Sequence, residues 1–389
     1  MTASFLRNWR FRARLQVRYA LATGRCGLNS LAPTLALRRQ TYLLQNFFET
    51  LSEEFADMSI TSSAALFLGS LFLTALASAV LSKRLDQVGA WLGFSAGLSG
   101  LVTALAADSP EIASAVIAQT SGRHDLGMGV IFGSNIFNLA ALLGLGALVA
   151  SRIACSRETL LLNAGAAIGV TAAVVAQRLY GLSALAAGLL IAAVMIPYVC
   201  VSALKPAQAA RLYLPAVVSN WLRSAVSATE VETTEGPPPA KPSWADIAAI
   251  VPLLAMVVLA SIGLVNAAST LGGRLGWSEI TTGALVIASL TGAPNLIAGL
   301  NLARQGRGAA VVSEAYNSNS LNLIVGAYLP TLFIAPVQPS TLARLSMWWL
   351  VAATMLSAVL FLPSGRLGRL GAAVLVVSWL GFVFVVLGQ

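Results

Sequence analysis

Apolar residues run through this chain in long blocks separated by short polar breaks. A helix needs about 20 apolar residues to cross the hydrocarbon core of a bilayer. The blocks predict ten such helices, at 61–82, 88–120, 126–150, 158–177, 181–203, 244–268, 277–303, 308–336, 343–362 and 367–388. The second, seventh and eighth exceed one crossing, which predicts tilted, broken or extended helices. One polar stretch is long. Residues 204–243 carry Glu230, Glu232, Glu235 and the run Pro237-Pro238-Pro239, a composition that reads as a mobile linker. It leaves five helices on each side. Five is odd, so the second set enters from the opposite face. The expected fold is an all-α polytopic membrane protein of about ten transmembrane helices, arranged as two inverted five-helix repeats. The expected organisation is a basic N-terminal extension (1–57), a first repeat (58–203), the linker (204–243) and a second repeat (244–389).

Composition agrees with the pattern. Apolar residues make up 57% of the chain and charged residues 10%, with a mean hydropathy of +0.79. Soluble domains carry about 25% charged residues. The net charge of +9 is no nucleic-acid signal, because the basic residues lie in short loops and in the stretch 1–40. Loops on the side of 204–243 hold Lys83, Arg84, Arg152, Arg157, Lys205, Arg211, Arg223, Lys241, Arg304, Arg307, Arg366 and Arg369. The opposite loops hold only Arg123, Arg178, Arg274 and Arg344. The positive-inside rule makes loop 204–243 cytoplasmic and both termini external, in a bacterial inner (plasma) membrane. The stretch 1–40 points the other way, with eight arginines and no acid. It reads as a dispensable extension ahead of a start at Met58, an organelle signal, or an interfacial basic helix. Cys26, Cys155 and Cys200 show no paired spacing and carry no disulfide or zinc signal. Trp348, Trp349 and Trp379 read as interfacial anchors. Asn163, Gln177 and Asn266 are isolated polar residues.

The polar residues inside the apolar blocks repeat at one fixed offset, the one that separates Pro110 from Pro294. By that same offset Ser134 matches Ser318, Asn135 matches Asn319 and Asn138 matches Asn322; Gly122-Arg123 matches Gly306-Arg307. Internal repeats with broken helices at mid-membrane mark a transporter fold. Asp108 and Glu111 lie three apart, hence on one helical face. Ionisable residues in mid-span are expensive and functional by default. Pro110 cannot donate to the Ala106 carbonyl, which disturbs the turn beside the two acids. Carboxylates and freed carbonyls suit a hard cation, which takes oxygen ligands. Ser134 and Asn138, four apart, add oxygens from the next span, and Gly129 and Gly133 allow close helix approach.

Pro-Glu followed by Gly133-Ser134-Asn135-Ile136-Phe137-Asn138 resembles the α-repeat of the calcium/cation antiporter superfamily, the sodium/calcium exchangers. The resemblance covers about 100–146 and, more weakly, about 284–330. It implies two repeats face to face at mid-membrane, sodium and calcium ions competing for one cluster of sites, and two peripheral helices that slide past the core. The ligands it implies are Glu111, Asp108, Ser134, Asn138 and the Ala104 carbonyl from the first repeat, and Thr291, Asn295, Ser318, Asn322 and Ala288 from the second. Pro110 and Pro294 are the helix breakers, and Glu111, Asp108 and Asn295 are the residues closest to the metal ion.

The second repeat departs from the pattern. Asn295 stands where the family has its second central glutamate, and Gly292 replaces a hydroxyl residue. Asp108 stands where the family has serine. Glu314 stands where it has asparagine, one turn before Ser318, and is either a further ion ligand or a partner of Arg304 or Arg307. The expected function is secondary active cation antiport, with no enzymatic activity, no cofactor beyond the transported Ca2+ and Na+, the lipid bilayer and inorganic cations as partners, and no nucleic acid. Proton-coupled exchange is the alternative, as is a family member whose transport is altered or lost through Asn295. An intramembrane hydrolase is disfavoured, since the second repeat has no matching aspartate and the single histidine sits in a loop. No nucleotide-binding Gly-rich loop ending in Lys is present.

Overall fold

The structure, a computed structural model, describes Phe55 and residues 58–211, 214–233, 241–334 and 337–388. The rest of the N-terminal extension 1–57, Cys26 included, lies outside the described residues, as do Glu235 and Pro237 to Pro239. The first repeat comprises α1 (Ile60–Trp91), α2 (Ala96–Ala107), α3 (Ser109–Thr120), α4 (His124–Val149), α5 (Arg157–Tyr180) and α6 (Ala184–Ser202). After α7 (Ala216–Thr233) come α8 (Trp244–Arg274), α9 (Glu279–Thr291), α10 (Ala293–Arg304), α11 (Gly308–Leu321), α12 (Thr341–Phe361) and α13 (Arg369–Leu387). The sequence offset reappears in the backbone. Ser109 and Ala293, His124 and Gly308, and Arg157 and Thr341 open equivalent helices at the spacing that relates the two prolines.

Seven of these helices are individually long and apolar enough to cross a bilayer. The bent pairs α2–α3 and α9–α10 add two more crossings, with bends of 51° and 47°. The tenth is α11, which continues through a π-helical stretch (Asn322–Tyr328) and a 3-10 turn (Leu329–Leu332). It is the most polar crossing, and its α-helical part is only 14 residues long. The chain is thus a multi-pass membrane protein of two five-span repeats.

The long second and seventh blocks are broken, as their length required. Pro110 and Pro294 each sit in the first turn of the second half-helix, α3 and α10, where a missing N–H costs nothing. The eighth block changes helix type instead. The first block runs past 82 to Trp91, because Lys83, Arg84 and Asp86 are tolerated in a helix that leaves the bilayer. At about 1.5 Å per residue α1 is near 48 Å long, well beyond a hydrocarbon core of about 30 Å. It packs along its repeat mate α8. Arg84 of α1 pairs with Asp246 at the start of α8, and Asp246 in turn accepts from the Ser243 backbone and hydroxyl.

At the centre lies α4. The apolar window of α4 is wholly buried, whereas the corresponding windows of α1, α6, α8 and α13 are one-third buried or less. Those four form the lipid-facing periphery.

Three features differ from expectation. The stretch read as a mobile linker holds α7, whose Leu222, Ala225 and Val226 are buried. The Thr159 hydroxyl of α5 donates to the Ala225 carbonyl at 2.9 Å, and Ser224 donates to Glu158 at 3.0 Å. A spacing of apolar residues on one face of α7 outweighs its polar composition. The all-α expectation missed a short antiparallel pairing, β1 (Arg152–Ala154) with β2 (Arg366–Gly368), which ties a loop of one repeat to a loop of the other. Finally, Trp349 and Trp379 are packing residues. Trp379 meets Phe137 edge-on at 5.8 Å and Trp349 meets Phe382 at 5.9 Å, while Trp348 alone stands half exposed.

Candidate functional site

The break between α2 and α3 places unlike helix ends at one point. The carbonyls that end α2 carry partial negative charge. The first turn of α3 carries partial positive charge and holds Glu111. Asp108 sits at the joint. The carbonyl that Pro110 leaves at Ala106 is capped by the Ser109 hydroxyl at 2.6 Å. The Ala104 carbonyl accepts from the Asp108 N–H at 2.8 Å and keeps a second lone pair. Its repeat mate, the Ala288 carbonyl, accepts from the Gly292 N–H at 3.0 Å. The expected freeing of carbonyls by proline is therefore only partial.

Asp108 and Glu111 are fully buried. The Asn295 amide of α10 donates to Asp108 Oδ1 at 2.7 Å, which brings the two broken helices together. Ser318 of α11 also faces Asp108, and Thr291 of α9 faces Glu111. The Thr291 hydroxyl also donates to the Ile287 carbonyl at 2.8 Å. Asn295 and Thr291 are buried, and neither faces lipid.

A second layer joins α4 to α11. The Asn322 amide donates to Asn135 Oδ1 at 3.1 Å and lies 3.5 Å from the Ser134 hydroxyl. Asn135 donates to the Asn319 carbonyl at 3.4 Å, a contact between residues equivalent in the two repeats. Asn319 donates to Thr171 at 3.1 Å. Asn135 and Asn319 were legible as repeat-matched residues, yet resemblance assigned them no role. Here they tie α4, α11 and α5 together. The isolated amides also have partners. Asn163 meets the Tyr198 hydroxyl at 2.7 Å, Gln177 donates to Thr331 at 2.8 Å, and Asn266 accepts from Arg123 at 3.0 Å.

What remains is a set of buried oxygens without donors: Asp108 Oδ2, both oxygens of Glu111, Asn138 Oδ1, Asn322 Oδ1, Asn319 Oδ1 and the Ser114 hydroxyl. Burying a carboxylate with no compensating partner costs several kcal/mol. A buried carboxylate oxygen left without a donor is what a hard cation satisfies. Among the described residues, no three His, Cys, Asp or Glu side chains converge on one point. The candidate site is thus two adjacent carboxylates supplemented by amide, hydroxyl and carbonyl oxygens.

The two repeats are packed differently around it. Where α4 crosses α9, an added Cβ on Gly133 would lie 2.5 Å from Ala284 Cα, and one on Gly283 would lie 2.3 Å from the Leu126 carbonyl. That crossing is closed. At the equivalent crossing, between α11 and α2, Ser313 and Asn317 replace the glycines. A cavity of about 310 Å³ opens there, lined by Ala104, Asn295, Glu314, Asp86, Arg307 and Val226 among others. Glu314 is half-buried in its wall. No ion pair links it to Arg304 or Arg307 among the described residues. On the opposite side, Arg178 donates to Gln119 at 2.9 Å and to the Ala327 carbonyl at 2.6 Å, and Gln119 donates to the Gly326 carbonyl at 2.6 Å.

A family profile described as sodium/calcium exchanger protein matches residues 62–204 and again 246–388, the same offset at both ends. One relative, a "Putative antiporter CaxA" of Alkalimonas amylolytica, is 25% identical over 308 residues, covering 75% of this chain and 88% of its own. Among solved structures, the H+/Ca2+ exchanger CAX superposes with a TM-score of 0.63 at 13% identity, covering 91% of this chain and 93% of that one. Native YfkE gives 0.59 at 16% identity, with 90% and 100% covered. The sodium-calcium exchanger NCX_Mj, soaked with 100 mM Na+ and 10 mM Sr2+, gives 0.56 at 18% identity, with 84% and 99% covered. At these identities the structures share the fold.

Proposed function

This chain belongs to the sodium/calcium exchanger protein family, a family of multi-pass cation antiporters, and on that premise we propose that it exchanges calcium for sodium by alternating access to the Asp108–Glu111 cluster. The observation that carries the reading is the Asn295–Asp108 contact, across which two half-helices from different repeats meet among buried oxygens that lack donors. Glu111, Asp108, Ser134, Asn138, Thr291, Asn295, Ser318, Asn322 and the carbonyls of Ala104 and Ala288 are the proposed ligand set. Calcium or sodium is the cargo, held in place of its hydration water. Five crossings per repeat imply that the repeats are inverted. The closed α4–α9 crossing and the cavity at α2–α11 then stand as the two gates, one shut and one open toward α7. Loop charge supports a cytoplasmic α7, in a bacterial inner membrane.

The test is calcium-45 uptake into proteoliposomes driven by an outward sodium gradient. Uptake that collapses with the sodium gradient and is lost in Glu111→Gln supports the reading. Folded protein that moves no calcium under either a sodium or a pH gradient refutes it. A proton is the competing counter-ion, and uptake driven by the pH gradient alone would assign it.

A further inference from the structure

Asn135 is not among the proposed ligands, yet it is fully buried and bonds to one that is. Its side-chain amide donates to the Asn319 backbone carbonyl at 3.4 Å. A backbone carbonyl only accepts. That contact therefore requires the nitrogen of Asn135 and leaves its Oδ1 for Asn322. Oδ1 accepts from the Asn322 amide at 3.1 Å, which in turn requires the nitrogen of Asn322. The Ser134 hydroxyl, itself donating to the Ile131 carbonyl at 3.1 Å, lies 3.5 Å from the same nitrogen. The chain of bonds starts at a backbone group that cannot turn over, so it dictates which way round the Asn322 amide lies. The nitrogen of Asn322 is held by α4, and its Oδ1 is buried with no donor.

Calcium takes oxygen ligands. An amide turned the other way would offer N–H groups to the cation, so one flip of Asn322 changes a ligand into a repelling group. The backbone fixes the rest of the placement. The Asn322 N–H bonds to the Ser318 carbonyl, which seats Asn322 one turn after that proposed ligand. We propose that Asn135 is a positioning residue for ion binding, which holds the Asn322 amide with its oxygen toward the cation. It touches no ion itself. Its repeat mate is engaged elsewhere. Asn319 gives its amide to Thr171 of α5 at 3.1 Å, and the position equivalent to Thr171 is Met355, which has no hydroxyl. The inference rests on the antiporter reading and deepens it, by naming the residue that decides whether Asn322 serves as a ligand.

The experiment measures equilibrium binding of calcium-45 to purified protein in lipid micelles, with Asn135→Leu placed in two backgrounds, wild type and Asn322→Asp. Leucine keeps the branched shape of asparagine without its polar ends. In the wild-type background it is expected to weaken calcium binding about tenfold, a loss of about 1.4 kcal/mol. Aspartate offers oxygen whichever way it turns. In the Asn322→Asp background the same change should therefore weaken binding by less than about twofold. A purely structural role for Asn135 would weaken both backgrounds alike. Asn135→Ala removes the same amide without added bulk and is read in both backgrounds by the same criterion, should leucine disturb the fold. Equal losses in both backgrounds, no loss in the wild-type background, or an Asn322→Asp protein that binds no calcium would overturn the positioning role and leave the antiporter reading intact. Wild-type protein that moves no calcium in proteoliposomes would instead overturn the antiporter reading, and wild-type protein that also binds none would take this inference with it.

Discussion

The contact between Asn295 and Asp108 sets a measurable coupling. The Asn295 amide lies 2.7 Å from Asp108 Oδ1, and both residues are at most 5% exposed. Oδ2 has no donor. Asn295→Leu keeps the volume but removes the amide donor from this carboxylate. A hydrogen bond to a charged group contributes about 1.5–3 kcal/mol. Asp108→Leu strands the other partner, leaving a buried amide short of an acceptor at about 1–3 kcal/mol. Replacing both restores a matched apolar pair. The double variant is expected to lose about 1.5–3 kcal/mol less than the two single losses added together. The assay is reversible denaturant unfolding of purified protein in lipid micelles without calcium, for all four forms. Single losses that add to within about 0.5 kcal/mol would show that the pair is not coupled. The account of how the two half-helices are held together would then fail.

Other perturbations reach other parts of the argument. Moving the carboxylate between repeats, with Asp108→Ser and Asn295→Glu together, should preserve calcium-dependent thermal stabilisation; Asp108→Ser alone should abolish it, and a double variant without stabilisation would show that charge number does not define the site. Gly133→Val places methyls against Ala284 and should cost about 1–3 kcal/mol by overpacking, whereas Gly165→Val, where an added Cβ meets nothing within 4 Å, should be milder in the same unfolding assay. Arg178→Gln leaves the Ala327 carbonyl without its guanidinium donor. It should speed cysteine labelling at Gly326→Cys on the closed side, and an unchanged labelling rate would remove Arg178 from that gate.

Much of this architecture was legible because membrane helices obey one dominant constraint. Every backbone polar group in hydrocarbon needs an internal partner, so apolar blocks became helices almost where they began and ended. The two prolines located both helix breaks. The constant offset between matched serines and asparagines fixed which helices correspond. Charge patterning and composition failed where local context intervened. The linker helix α7 mixes polar and apolar residues along its length, and among the described residues Leu222, Ala225 and Val226 give it a buried side. The β1–β2 pairing joins loops from opposite halves of the chain, and no local signal announces such a contact. Nor did the proline rule foresee that Ser109 would cap the freed carbonyl.

The residue types of the candidate site were legible in the sequence, but their arrangement was not. Resemblance marked Asn295 as a lost glutamate and Asp108 as a gained acid, as though charge had moved from one repeat to the other. The geometry gives that exchange a physical form. An amide in place of a carboxylate at 295 supplies a donor, and Asp108 uses it; two carboxylates at that distance would repel. The first repeat then holds both central charges, while the second contributes amides, hydroxyls and, farther along the cavity, Glu314. Such a site is no longer symmetric about the axis relating the repeats. The α2–α11 cavity has Glu314 in its wall, whereas the α4–α9 crossing has no equivalent acid, because position 130, the repeat mate of 314, is Val130. On the proposed antiporter reading, unequal cation affinities on the two sides of the membrane are the expected consequence of that difference between the repeats.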